Sequence, residues 1–360
     1  MRSKLLVVLI GAAALAGCGG DEPEPAAEPT PAAAAEADLG AIKDYLLSHT
    51  AGLTEHTATL AADAEAYHAL AEEAGFDYDR LLADKRSEVA GLIEKMQATF
   101  QEANPAYEEA EGVVAGVPSL ADFDVIIDAG ADKSDPENAV PFSIRTPAGK
   151  TYEQPGNFFF LLETSLWGTE EQFAAEGAEP DLDGDGKVSF GEAVPDADFL
   201  VAAARDFAAN AKELDAAAQE WQPTPPDAFT ALVVMTPTMS EYFAAWKSSR
   251  FVAGANAQES AFVAASRLQD IADILSGLVL IYENVEPSIA ADDPAQADQT
   301  GAELRKLEQF AARLRDEEAA GRKFTAREAD TLGSEAQDRA EGIAGQVSQA
   351  AGRLELTLET

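Results

Sequence analysis

Residues 181–192 read Asp-Leu-Asp-Gly-Asp-Gly-Lys-Val-Ser-Phe-Gly-Glu. Carboxylates stand at the first, third, fifth and twelfth positions, and glycine at the sixth. Calcium takes several oxygen ligands, and a twelve-residue loop with this spacing supplies them. Asp181, Asp183 and Asp185 would give side-chain oxygens, Lys187 its backbone carbonyl, Ser189 a water and Glu192 a bidentate carboxylate. Gly186 permits the sharp turn, and Val188 fills the apolar eighth position. A chance acidic turn is the plainer alternative, but the glycine, the apolar residue and the final glutamate all agree with a calcium loop.

The flanks of this EF-hand-type loop say what calcium would do there. Pro180 precedes it, and Pro195 follows three residues after Glu192 and limits any exiting helix. No second loop of this kind occurs in the sequence. A sensor needs two helices whose angle changes on binding. The expectation is therefore Ca2+ as a structural cofactor that clamps a connection, not a switch.

Other chemistry is sparse. There is no GxSxG, no HExxH and no glycine-rich phosphate loop. Cys18 is the only cysteine, and the three histidines, His49, His56 and His68, fall in one stretch. His49 and His56 are seven residues apart, roughly 10 Å along a helix, too far to share one ion unaided. His68 and Glu72, four apart, share a helical face and could. Histidines that cap or pack are the simpler reading of all three.

The N-terminal segment sets the compartment. Arg2 and Lys4 precede an apolar run from Leu5 to Gly17, shorter than the roughly 20 residues that span a bilayer. It reads as an export signal over residues 1–17. Leu15-Ala16-Gly17-Cys18 resembles the lipobox of bacterial lipoproteins, which implies a lipid on Cys18 and attachment to a membrane through it. Gly19 after the cysteine implies retention at the outer membrane, facing the periplasm. Residues 18–38 then form an acidic, proline- and alanine-rich tether. The formal net charge of −40 argues against nucleic acid as a partner and suits a body that attracts cations.

These residues need a scaffold, and helical periodicity supplies it. Leu46, Leu53, Leu60 and Tyr67 recur every seven residues, with Ile42 and Leu70 on the flanking seam. Phe262, Leu268, Ile271, Leu275, Leu278 and Tyr282 follow the three-four pattern over 259–282. Similar stripes cover 78–103, 157–175, 197–220, 226–249, 299–319 and 325–358. Proline-containing stretches such as "NPAYEEAEG" and "EPSIAADDPAQ" read as connections. In 131–156 four prolines exclude a helix, and "FSIRT" and "KTYEQ" can pair as a hairpin across "PAG". The expected fold is all-α: two packed helical bundles forming one body over 39–360, with a small irregular β-hairpin insertion and the 181–192 loop.

Three further stretches carry a family resemblance. "YEEAEGVVAGVPSLADFDVIIDAG" at 107–130, "FFFLLETSLW" at 158–167 and "RLQDIADILSGLVLIYENVEP" at 267–287 occur in this order. Together they resemble the imelysin-like family, which includes EfeO-type periplasmic iron-uptake proteins. The family's second motif places His and Glu three apart on one helical face, where both reach one metal ion. Here Phe160 stands at the position matching that histidine, and Glu163 at the glutamate. The resemblance implies a second metal site around Glu163, Glu111 and Asp128, altered by the missing histidine. Glu163 with an ordinary hydrogen-bonding partner is the structural alternative, and Phe158, Phe159, Phe160 and Trp167 are expected to fill the core. The functional expectation is a lipid-anchored, calcium-binding envelope protein, accessory to metal or haem uptake with an envelope partner. The alternatives are an imelysin-like metallohydrolase and a calcium-responsive interaction protein. No intact catalytic constellation supports an enzyme.

Overall fold

The computed structural model describes residues 37–178 and 180–359. The expected signal segment 1–17, Cys18 and most of the 18–38 tether lie outside the described residues. Among the described residues, no helix is long and apolar enough to cross a membrane.

Helix α1 (Leu39–Glu73) starts at Asp38, whose carboxylate accepts from the Ala41 N–H at 3.0 Å. Its heptad stripe is the buried face: Ile42, Leu46, Leu53, Leu60 and Tyr67 have almost no exposure. α2 spans Tyr78–Val114, and a short α3 (Ala121–Asp124) runs on into a π turn at Val125–Ala129. Strands β1 (Ser143–Arg145) and β2 (Thr151–Glu153) pair antiparallel, with Ile144 opposite Tyr152. This is the hairpin expected across Pro147-Ala148-Gly149. There follow α4 (Phe158–Trp167), α5 (Ala197–Glu220), α6 (Pro225–Met235), α7 (Met239–Ser248), α8 (Arg250–Ala253), α9 (Arg267–Asp292), α10 (Pro294–Ala319) and α11 (Ala326–Arg353).

The body is all-α apart from that hairpin. α1, α2, α4 and α5 pack as one bundle, and α6, α7, α9, α10 and α11 as another. α2 lies against α9 and joins them. The approach is close at Gly277 of α9, where an added Cβ would sit 2.3 Å from the Glu109 carbonyl oxygen. Two carboxylate-bearing helix faces are thereby pressed together.

Several helix ends differ from expectation, each for a local reason. α2 continues through Pro105 to Val114, so "NPAYEEAEG" is helix and not a connection. Proline removes one helical hydrogen bond, while the next turns bury Tyr107, Ala110, Val113 and Val114, which outweighs that loss. α9 likewise passes through Pro287 before Asp293 and Pro294 start α10. The 157–175 stripe ends early, because Gly168 adopts the left-handed conformation that closes α4. The 226–249 stripe breaks at Thr236–Thr238, where Pro237 sits in a 3-10 turn. The helix expected from 259 begins only at Arg267, capped by Ser266.

Candidate metal centre

Between the two bundles lies a cavity of about 640 Å³, lined by α2, α4, α7 and α9, the α3–π turn and the segment before α9. α2 sends Glu108 and Glu111 into it, three residues apart on one helical face. Asp124 ends α3 and Asp128 sits in the π turn, a local widening of the kind often found at functional sites. α9 contributes Arg267 and Asp270, one turn apart.

Glu108, Glu111 and Asp128 each bring one carboxylate oxygen within 4.8 Å of the others. Part of each glutamate is already engaged. Asn104 Nδ2 donates to Glu108 Oε1 at 3.0 Å, and the Tyr242 hydroxyl donates to Glu111 Oε1 at 2.7 Å. The second oxygens, Glu108 Oε2 and Glu111 Oε2, are buried and have no hydrogen-bond partner. Asp124 accepts from the Tyr107 hydroxyl at 2.6 Å.

One buried cation faces this group. The Arg267 guanidinium lies 3.1 Å from Asp270 Oδ2, 3.5 Å from Glu108 Oε1 and 3.6 Å from Asp128 Oδ2. It also lies near the Tyr242 and Phe262 rings, 4.6 and 4.4 Å from their centroids. Its charge does not balance the carboxylates. Burial pushes the Glu111 carboxyl up to about 8, with repulsion from Asp124 and Asp128 adding to it and Arg267 opposing. Burial, then Asp270, Asp128 and Glu111, holds Glu108 well above the ordinary range. Burial raises Asp124 to about 7 and Asp270 to about 6.

Glu163 has a different task. Its Oε1 accepts the Val263 and Ala264 N–H groups at 2.8 and 2.7 Å, and its Oε2 accepts that of Phe262 at 2.6 Å. The carboxylate thus fixes the segment leading into α9, where Phe262 has a left-handed φ of 52°. Burial raises Glu163 to about 7 even though the three N–H donors oppose the shift. Of the expected set of Glu163, Glu111 and Asp128, the fold brings Glu111 and Asp128 together with Glu108 and gives Glu163 to the backbone. Phe160 is only half-buried and lines the cavity, while Phe158 and Phe159 are core.

No histidine lines the cavity. His49 pairs with Glu109, His56 faces Glu102, and His68 meets Asp198 of α5 at 2.8 Å, not Glu72. Sequence reasoning missed Glu108, Asp124, Arg267 and Asp270. The available signal was polar residues on core-facing stripes: Glu108 and Glu111, and Arg267 and Asp270, each pair one turn apart.

The 181–192 loop is on the surface, between α4 and α5. Asp181, Asp183 and Asp185 bring oxygens within 4.8 Å of one another. Asp181 Oδ1 accepts the Gly184 N–H at 2.8 Å and Oδ2 that of Gly186 at 3.1 Å. Gly186 has the positive φ of 84° that the sharp turn requires. Asp183 and Asp185 accept N–H groups two residues on. Glu192 accepts three, from Leu182, Asp183 and Ser189, and these hold its carboxyl below the ordinary value, Ser189 most strongly. Lys187 and Ser189 are exposed. The base of the loop is already closed: Ala175 N donates to the Val194 carbonyl at 2.8 Å, and Asp196 N to that of Phe173 at 2.8 Å. Arg86 donates to the Asp181 carbonyl, and Gln97 joins the carbonyls of Leu166 and Gly191.

The sequence profile of the imelysin family matches residues 46–347, which include every residue of the cavity described above. No curated protein matches the chain.

Proposed function

The chain belongs to the imelysin family, and we propose that its buried acidic cavity binds a hard, multiply charged cation through Glu108, Glu111 and Asp128. The observation that carries this reading is the pair of partnerless buried oxygens, Glu108 Oε2 and Glu111 Oε2, within reach of Asp128. Buried polar atoms normally have partners, and a buried carboxylate without one is costly. A bound cation removes that cost. The donors are all oxygens, with no histidine or cysteine among the lining residues, which favours Ca2+, Mg2+, Mn2+ or ferric ions over zinc or copper.

When bound, such an ion would supply fixed positive charge amid the carboxylates. The chain's own residues do the rest. Tyr242 and Asn104 orient the glutamates, Tyr107 orients Asp124, and Glu163 holds the segment that walls the cavity. These are binding and positioning roles, which supports metal handling more than hydrolysis. The wider reading is a lipid-anchored envelope protein accessory to metal uptake. It is supported by the signal-like N-terminus ending in Cys18 and by the family. Calorimetric titration of the mature chain with Mn2+ tests the cavity, and no binding would end this reading. Cys18→Ser tests the anchor: the variant should leave the membrane fraction, and retention after a salt wash would disprove lipid attachment.

A second, separate reading concerns the surface loop as a structural calcium site. It is favoured by the convergence of Asp181, Asp183 and Asp185. Because the loop base is closed by backbone hydrogen bonds, calcium there would add stability without rearranging helices.

A further inference from the structure

We infer that Arg267 is a tethered counter-cation that an incoming ion must displace, and that it thereby sets the charge selectivity of the cavity. The inference rests on the cation site proposed above. Arg267 is 5% exposed, yet its guanidinium makes one hydrogen bond to a side chain in the cavity, from Nη1 to Asp270 Oδ2 at 3.1 Å. Its approaches to Glu108 and Asp128, at 3.5 and 3.6 Å, are longer than charge-assisted hydrogen bonds, which run about 2.7–2.9 Å. Its Nε has no partner. The guanidinium is spread over three carboxylates and fitted to none. A buried arginine serving only structure would be expected to grip one carboxylate with two parallel bonds.

Two of the three proposed ligands, Glu108 and Asp128, are the residues Arg267 touches. A cation bound to those carboxylates, at roughly 2.0–2.6 Å from their oxygens, would lie within a few ångströms of the guanidinium. Two like charges that close repel strongly in a poorly solvated cavity. Cation binding and the present approaches of Arg267 to Glu108 and Asp128 therefore compete.

The structure also provides somewhere for the displaced group to go. Asp270, one turn along α9, has a buried Oδ1 without a partner, and Arg267 has a donor, Nε, without one. A small rotation that joins them gives the paired arginine–carboxylate geometry and satisfies both atoms. The Tyr242 and Phe262 rings stay beside the guanidinium and limit how far it moves. A monovalent ion would replace the arginine charge for charge and gain little. A divalent ion adds net positive charge among carboxylates that remain in excess. The cavity should then discriminate by charge.

The test is Mn2+ titration of the mature chain as wild type, Arg267→Lys and Arg267→Gln. Lysine keeps a buried positive charge, and hence the fold, but it can release its proton as the ion arrives, whereas arginine cannot. The expected order of affinity is wild type weakest, Arg267→Lys tighter and Arg267→Gln tightest, with about a tenfold gain overall, a coupling of ordinary size. Arg267→Lys should also release more protons per Mn2+ bound than wild type, seen as a larger dependence of the heat on buffer. Sodium at equal ionic strength should compete with Mn2+ in Arg267→Gln and not in wild type. Should Arg267→Gln fail to fold, the lysine variant decides by affinity and proton release. Equal or weaker Mn2+ binding in the folded variants would overturn the role of Arg267 while leaving the site. Absence of Mn2+ binding in all three proteins would overturn the site, and this inference with it.

Discussion

The cavity and the surface loop are both built from acids, yet they treat those acids in opposite ways. In the loop, Asp181, Asp183, Asp185 and Glu192 accept backbone N–H groups from the loop itself, and no partnerless buried oxygen occurs there among the described residues. In the cavity, Glu108, Glu111 and Asp270 keep buried oxygens unpaired, and burial raises their pKa values. The difference follows from where the donors are. A loop of alternating acids and glycines folds its own amides around its carboxylates. A helix has used its amides within itself, so carboxylates on its buried face depend on neighbouring helices or on an ion. The loop's carboxylates are hydrogen-bonded as folded, and the cavity leaves several of its oxygens unpaired.

The sharpest way to break this contrast is to remove the cavity carboxylates. Glu108→Gln with Glu111→Gln should lower Mn2+ affinity by roughly two orders of magnitude or more, beyond the 10- to 100-fold typical of residues that only support ligands. Calorimetry reads this directly, and an unchanged affinity would move the site elsewhere.

Next in size is the effect of pH. In the cation-free protein, Asp270 at about 6, Asp124 and Glu163 at about 7, and Glu111 at about 8 all lie above their unfolded values. The folded state therefore holds protons that the unfolded chain has lost. Their contribution to stability is fully present below the unfolded pKa values, about 4, and is lost as pH rises through 6 to 8. Tyr107 and Tyr242 stay protonated across this range and Arg267 stays charged, so they do not reverse the trend. Melting temperature with chelator present should fall from pH 5.5 to pH 8.5. Excess Mn2+ should restore it most at the alkaline end, because ligands must lose protons to bind. A melting temperature that rises with pH in chelator contradicts the account.

Glu163→Ala should have a moderate effect, and on stability. It leaves three backbone N–H groups without their acceptor, of which only Val263's bond is fully buried, and the usual penalty for one buried group is about 1–3 kcal/mol. The melting temperature should drop by several degrees, at roughly 2–4 °C per kcal/mol. Mn2+ affinity should change far less than in the double glutamine variant. If Glu163→Ala abolishes cation binding instead, Glu163 is a ligand and the division of labour is wrong.

The effects confined to the loop are comparable in size but appear only with calcium. Calcium at about 100 times its dissociation constant adds roughly 2.7 kcal/mol if it binds only the folded state. That gain should vanish in Asp181→Ala and Glu192→Gln and persist in Lys187→Ala, as melting curves with calcium and chelator will show. A large change in helix content on adding calcium would favour a switch over a clamp.

Local sequence determined a good part of this protein. The seven-residue spacing of Leu46, Leu53, Leu60 and Tyr67 made α1 helical and chose its buried face, because side-chain direction follows the helical period. The prolines and the "PAG" turn fixed the hairpin, and the loop could be read residue by residue because its acids are contiguous. Tertiary structure decided the rest. Whether Pro105 ends a helix depended on the apolar surface the following turns could bury, which the chain alone does not state. The cavity draws Glu108 and Glu111 from α2, Asp128 from a π turn and Arg267 from α9, nearly 160 residues after Glu108. By resemblance, the sequence put Glu163 at the glutamate of a metal motif whose histidine is Phe160 here. Only the fold brought the N–H groups of Phe262, Val263 and Ala264 within hydrogen-bonding distance of its carboxylate, and a carboxylate in low dielectric takes the nearest donors that three-dimensional packing provides.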